Sequence, residues 1–263
     1  MPAVFPFPGG KARLASWVIS NIPEHEVYVE LFGGAASVLV NKESATVEVY
    51  NDKDGDLVHF FEVLRDDPEA LIDWIDAVPY AREVHERWVE HFYNGYRPKD
   101  DYARAGRFFF LRYSQWGAKY QGPSGFGTAT SSNQAQTFAN KIEKLREFAD
   151  RFEGVTIENL DWEDVVEKYD GPNTVFYADP PYLDTENYYV QDDAVHERLL
   201  STMLDVEGRA VISYADLPDG ADDYWVVGKD SSFVLNAGKS GSAKGCREHL
   251  LLNFDPSTVE EVA

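Results

Sequence analysis

The chain has 263 residues, 46 Asp and Glu against 24 Lys and Arg, a formal net charge of -22 and a pI of about 4.5. Hydrophobic residues at 44% and aromatics at 14% exclude a disordered chain, which would be poor in both. No apolar run reaches the roughly 18–20 residues of a membrane span, the first ten residues lack the pattern of a signal peptide, and the single cysteine, Cys246, excludes an internal disulfide or a cysteine-based zinc cluster. These features lead us to expect a cytoplasmic monomer or weak dimer with no membrane and no metal, and a net charge that on its face repels nucleic acid.

Phe5-Pro6-Phe7-Pro8-Gly9-Gly10-Lys11 is punctuated as a loop, and residues 14–22 read as a short amphipathic helix ended by Pro23. Residues 27–32 are β-branched and aromatic and read as a buried strand. Gly33-Gly34 follows, then residues 35–41 read as a helix, and residues 46–50 as a second strand ending in Asn51-Asp52. Strand, glycine turn, helix, strand and acid make a βαβ unit. Asp52 lies 18 residues after Gly34, close to the offset of about 20 at which an acid binds ribose in nucleotide-binding α/β folds.

From residue 57 the period becomes helical: Leu57, Phe60, Phe61, Leu64, then Leu71, Trp74, Ile75 and Val78, with a further helix over 102–113. Residues 114–137 are rich in Gly, Ser, Thr and Gln and too polar for core, and 139–152 return to helix. Residues 55–150 thus read as a helical insertion interrupting an α/β domain made of 1–54 and 151–263. The α/β pattern resumes with a strand at 155–158, a helix from Asp161-Trp162 to residue 169, and a strand at 174–178 that runs into Asp179-Pro180-Pro181-Tyr182. A helix over 197–204, a strand at 209–214 and closing strands at 224–227, 232–235 and 249–254 complete the chain.

The tetrad at the carboxyl end of a buried strand is the sharpest chemical signal, because open α/β sheets place ligand chemistry at that edge. The Asp179 carboxylate accepts hydrogen bonds. Pro180 adds a carbonyl held between two fixed φ angles, which Pro181, lacking an N–H, leaves outward-facing. Tyr182 offers a flat face for stacking. Two acceptors beside a stacking ring suit the exocyclic amine of a nucleobase. The six histidines show no ligand spacing.

Val175-Phe176-Tyr177-Ala178-Asp179-Pro180-Pro181-Tyr182 resembles the signature of the amino-methyltransferases that modify adenine in DNA, and motif order narrows the resemblance to the DNA adenine methyltransferase (Dam-like) family. Phe7-Pro8-Gly9-Gly10-Lys11 resembles its N-terminal glycine-lysine motif, Tyr28-Val29-Glu30-Leu31-Phe32-Gly33-Gly34 its cofactor motif, Asn51-Asp52 the acid that follows, and Asp161-Trp162 the pair beside the cofactor adenine. Ser213 and Glu248 to Asn253 fall where the family has a short polar motif and a closing strand.

The resemblance implies a Rossmann-like methyltransferase fold with a helical target-recognition insertion. It implies S-adenosylmethionine as cofactor and double-stranded DNA as partner, in an orphan, restriction or viral setting. Phe32, Gly33 and Gly34 would meet the methionine portion, Asp52 the ribose, and Asp161 and Trp162 the adenine, while Phe7 and Lys11 would line the meeting place of the two substrates. Asp179 and Pro180 would hold the N6 amine of a flipped-out adenine stacked on Tyr182. Neighbouring chemistries are methylation of cytosine N4, RNA or a protein amide, and a different class is a non-catalytic acidic nucleic-acid-binding or DNA-mimic protein.

The net charge hides three basic islands. Residues 1–20 hold Lys11 and Arg13 and no acid, 97–146 hold nine Lys and Arg against three acids, and 229–247 hold four against one. These islands are expected to face DNA, the remaining acidity fitting a salt-rich cytoplasm. Arg107, Arg112, Gln115 and Lys119 are the candidate base and phosphate contacts in the insertion. Lys239 and Lys244 lie on a flexible basic loop suited to phosphate.

Overall fold

The computed structural model describes residues 3–120, 122–181, 193–231 and 246–258. Five parallel strands, β1 (Val27–Glu30), β2 (Val47–Asn51), β3 (Val155–Glu158), β4 (Thr174–Ala178) and β5 (Arg209–Tyr214), join β6 (Trp225–Ser231) and β7 (Cys246–Leu252) in the order β3-β2-β1-β4-β5-β7-β6. The strand β7 enters between β5 and β6, antiparallel to both. Every residue of β4 is buried, as in a central strand covered on both faces.

The alternation of side chains sorts the strands into two cores. Tyr28, Tyr50, Val175, Tyr177 and Val211 face one way, and Val29, Val49, Phe176, Ala210 and Ile212 the other. The second face is covered by α8 (Trp162–Tyr169) through Val165 and Val166 and by α9 (Asp193–Asp205) through Leu199, Leu200 and Met203.

The first face is covered by the helical block. It comprises α2 (Gly55–Asp66), α3 (Pro68–Asp76), α4 (Arg82–Tyr93), α5 (Asp101–Ser114), α6 (Gln134–Ile142) and α7 (Leu145–Phe152); the short α1 (Ala15–Ile19) adds Val18 to the same core. Asp54, Asp67, Asp100 and Asn133 cap α2, α3, α5 and α6 through side-chain oxygens. The block shares its core with the sheet. Phe61 lies 4.7 Å from Tyr50 and 4.6 Å from Phe152 between ring centroids, and Phe5 of the N-terminal loop lies 5.3 Å from Phe60 and 5.6 Å from Phe108.

Residues 35–41 form successive turns, not the helix their composition predicts. Gly34 and Ala36 have φ of +50° and +54°, outside the right-handed helical region. The Leu39 N–H is bonded at 2.9 Å by the Glu30 carboxylate, where a helix would use a main-chain carbonyl. The single helix expected over 139–152 is two helices, broken after Ile142, and α4 fills the interval left between the second and third expected helices. The expected strand at 232–235 lies outside the described residues. No helix among the described residues is long and apolar enough to cross a membrane.

Candidate active site

Parallel pairing brings the carboxyl ends of β1 to β4 to one edge. Glu30 is in register with Tyr50 and Tyr177, and Asn51 with Glu158. The segments that leave these ends carry the predicted motifs. The buried Asn51 side chain ties them together: its amide donates to the carbonyls of Leu31 (2.9 Å) and Leu160 (3.3 Å) and its oxygen accepts the Leu160 N–H (3.0 Å).

The glycine turn after β1 is shaped by contact. A Cβ on Gly33 would lie 2.1 Å from the Tyr50 ring, and one on Gly34 would lie 3.3 Å from Phe7 in addition to its positive φ. Tyr50 donates its hydroxyl to the Gly34 carbonyl at 2.7 Å, and the Gly34 N–H donates to Asp52 Oδ2 at 2.9 Å. The other Asp52 oxygen accepts the Asp54 N–H at 2.8 Å. Burial pushes the Asp52 carboxyl up from its ordinary value to about 6 in spite of these bonds. Phe7, Gly33, Gly34 and Asp52, spread over some 45 residues of sequence, therefore meet.

Asp179 follows β4, and Lys11 reaches it from the N-terminal loop, Nζ to Oδ1 at 2.7 Å. The same ammonium lies 3.4 Å from Glu248 Oε1 of β7 and donates to the Gly9 carbonyl at 3.2 Å. The Ser213 hydroxyl at the end of β5 donates to Glu248 Oε1 at 2.8 Å. Lys11, Ser213 and Glu248 are buried, and Pro180 and Pro181 continue the chain from Asp179. Tyr182 lies outside the described residues.

Asp161 and Trp162 open α8. Asp161 is half-exposed and pairs with Lys53 at 2.6 Å, while Trp162 is buried in the second core and Phe32 packs partly against that core. Sequence reading missed Asp54 and Tyr120, and named Glu30 only as a member of the motif at residues 28–34, without a role. Glu30 Oε2 accepts from the Tyr28 hydroxyl and the Leu39 N–H, and burial raises its carboxyl to about 8. Tyr120 donates its hydroxyl to Asp54, and its ring lies 5.2 Å from that of Phe7. The signals for Glu30 were its position at the end of a buried strand and its place in the motif at residues 28–34.

Two expected DNA contacts are turned inward. Arg112 is 1% exposed, donates to Gln115 Oε1 at 2.7 Å and lies 4.3 Å over the Tyr120 ring; Gln115 is itself buried and bonded to Tyr93. In this conformation neither presents its polar atoms to a duplex. Arg107 is half-buried with its guanidinium 5.0 Å over Trp88, and Lys119 is exposed. Lys239 and Lys244 lie outside the described residues. Of the nine basic residues of the middle island, Arg97 and Arg104 both bind Asp56 and Arg146 binds Glu69, so three are held in ion pairs within the protein. Among the described residues no cluster of three or more His, Cys, Asp or Glu is arranged to hold a metal.

Residues 7–236 match the family described as D12 class N6 adenine-specific DNA methyltransferase. Relatives named DNA adenine methylase from two strains of Vibrio cholerae serotype O1 are each 25% identical over 182 residues, which is 66% of this chain. The matched stretch spans 62% of the length of those relatives. A seven-stranded sheet with one antiparallel strand inserted near its edge, and the convergence of Phe7, Gly33, Gly34, Asp52 and Asp179 at its carboxyl edge, accord with that match, and the chain belongs to the D12 class of N6 adenine-specific DNA methyltransferases.

Proposed function

We propose that the protein transfers a methyl group from S-adenosylmethionine to the N6 amine of an adenine flipped out of double-stranded DNA. The observation that carries this reading is the placement of Asp179, with Lys11 on its carboxylate, on the same sheet edge as the Gly33-Gly34 turn and Asp52.

The residues fit the cofactor. The Tyr50 ring behind Gly33 leaves no room for a side chain, and with the Gly34 bonds it fixes the shape of the turn that the methionine portion would meet. Asp52 is a buried carboxylate of the kind that binds a ribose. Phe32, Gly33 and Gly34 would hold the methionine portion, Asp52 the ribose, Asp161 and the edge of Trp162 the adenine, and Phe7 and Lys11 the junction with the target base. S-adenosylmethionine, when bound, supplies an electrophilic methyl on a sulfonium that leaves as a neutral thioether.

The target amine is a weak nucleophile because its lone pair is delocalised into the purine. Asp179 and the Pro180 carbonyl draw its two hydrogens toward tetrahedral geometry and localise the lone pair, which forms the new N–C bond in line. The proton released from N6 departs through the Asp179 carboxylate to water. The rate comes from positioning and from dipoles set before the reaction begins. Tyr182 would stack on the flipped base. Arg107 and Lys119, with Lys239 and Lys244, would bind phosphate. The acidity outside the islands fits work in a salt-rich cytoplasm, where electrostatic DNA affinity is weak for any protein.

Calorimetric titration with S-adenosylmethionine in molar salt tests the cofactor, and modified-adenine sequencing after expression in a methylation-free host tests the reaction and gives the target. Binding together with N6-methyladenine is expected, and Asp179→Ala is expected to abolish the mark while leaving the melting curve in place. Absence of cofactor binding, or an undiminished mark in Asp179→Ala, would sink the reading.

A further inference from the structure

Asp179 has two demands on it. To draw hydrogens from the target amine it must be a strong acceptor, yet the Lys11 ammonium sits 2.7 Å from its Oδ1. An ammonium at that distance competes for the carboxylate's electron density and weakens it as an acceptor for anything else. The same ammonium has a second carboxylate within reach, Glu248 Oε1 at 3.4 Å.

Glu248 is a prepared site. It lies on β7, buried, with its Oε1 already holding the Ser213 hydroxyl at 2.8 Å. Ser213 is fully buried on β5, the strand paired with β7, so both groups are fixed by the sheet. A short shift of the Lys11 side chain turns the long contact into a charge-assisted bond of about 2.7–2.9 Å. The shift strands no buried charge, since the ammonium stays between two carboxylates throughout, and an unpaired buried charge is the costly alternative.

We infer that Glu248, oriented by Ser213, is a positioning residue for methyl transfer: it takes the Lys11 ammonium as the target amine arrives, and so frees the Asp179 carboxylate to act as acceptor. The inference rests on the proposed methyl transfer. Glu248→Gln keeps size and the bond to Ser213 but removes the charge, leaving Lys11 on Asp179. Loss of one charge-assisted contact corresponds to a fall of about tenfold or more in rate.

The test is single-turnover methyl transfer to DNA from a methylation-free host, with KM for S-adenosylmethionine and DNA measured in parallel. The expected result for Glu248→Gln is kcat lower by about tenfold with both KM values and the melting temperature nearly unchanged, and Glu248→Asp recovering part of the rate. Ser213→Ala, which leaves both charges in place, is expected to lower kcat in the same sense but less, and to add little to Glu248→Gln; it decides the matter if the glutamine variant does not fold. Unchanged kcat, or a loss confined to KM, overturns the inference while the methyl-transfer reading stands. No transfer by the unaltered chain overturns both.

Discussion

Gly33→Ala tests the geometry of the glycine turn proposed to hold the cofactor. The added Cβ would lie 2.1, 2.6 and 2.7 Å from Cε2, Cδ2 and Cζ of Tyr50, against an optimum carbon separation of about 3.5–4.0 Å. The ring cannot step aside: it is fully buried, with Phe61 4.7 Å and Phe152 5.7 Å away between centroids, and its hydroxyl is bonded to the Gly34 carbonyl at 2.7 Å. Relief therefore takes one of two forms. If the ring moves, overpacking costs about 1–3 kcal/mol and the lost hydrogen bond about 1 kcal/mol more. If the turn moves, the Gly34 N–H leaves Asp52 and the cofactor surface is displaced. At about 2–4 °C per kcal/mol for a chain of this size, the melting temperature should fall by about 5–15 °C, and S-adenosylmethionine affinity by at least about tenfold. Melting by calorimetry and cofactor titration, both in molar salt, provide the readouts. A variant that melts with the parent and binds the cofactor equally well would refute the claim that Tyr50 closes the space behind Gly33.

Three further outcomes are expected. Burial raises the Glu30 carboxyl from 4.5 to about 8, so its contribution to stability is complete below about 4.5 and lost as pH rises through about 8; Glu30→Gln still accepts from Tyr28 and Leu39 and should match the parent at pH 5 but melt higher at pH 9, and parallel pH profiles would contradict this. The Asp52 carboxyl, raised from 3.8 to about 6 mainly by burial, favours folding below about 4 and loses that contribution as pH rises through about 6. Its strength as the proposed ribose acceptor runs the other way, so cofactor affinity should weaken as pH falls through about 6 and lose that dependence in Asp52→Asn; titrations at pH 5 and 8 decide. Lys119→Ala should weaken DNA binding and reduce the salt slope by about one, whereas Arg112→Met, buried on Tyr120, should leave the slope alone; equal slopes in the two variants would argue that Arg112 turns outward on DNA.

The strands were legible because short runs rich in β-branched and aromatic residues that start after Gly or Asn have few other readings: β3, β4 and β5 lie where the sequence puts them. Residues 35–41 misled because Ala-Ala-Ser-Val-Leu-Val has no helix breaker of its own. What prevents the helix is the positive φ at Ala36 and a carboxylate from Glu30 taking the Leu39 N–H, a tertiary effect invisible to local propensity. Charge counting found the middle island but not its use, since no segment count shows Arg97 and Arg104 folding back onto Asp56, more than 40 residues earlier. In the site, Phe7, Gly33, Gly34, Asp52 and Asp179 were legible as motifs. Tyr120 and Asp54 were not, because a single Tyr in a polar loop and one more Asp among many carry no signature until the fold joins them. The length of the helical block likewise concealed that Phe60 and Phe61 fill the sheet's own core.

The inserted strand β7 bears on the order in which the molecule is made. It is the last described strand to leave the ribosome, yet it enters the sheet between two strands synthesised before it. Until it does, β5 and β6 have no shared partner, and Lys11, made at the very start, has Asp179 within reach but not Glu248. A chain that stops after Asp179 but before residue 246 therefore has Gly33, Gly34, Asp52 and Asp179 but not the Lys11, Asp179 and Glu248 cluster. The β5–β6 gap and the charge cluster are thus completed by the same strand, so the folding of the sheet and the assembly of the Lys11 cluster are one event.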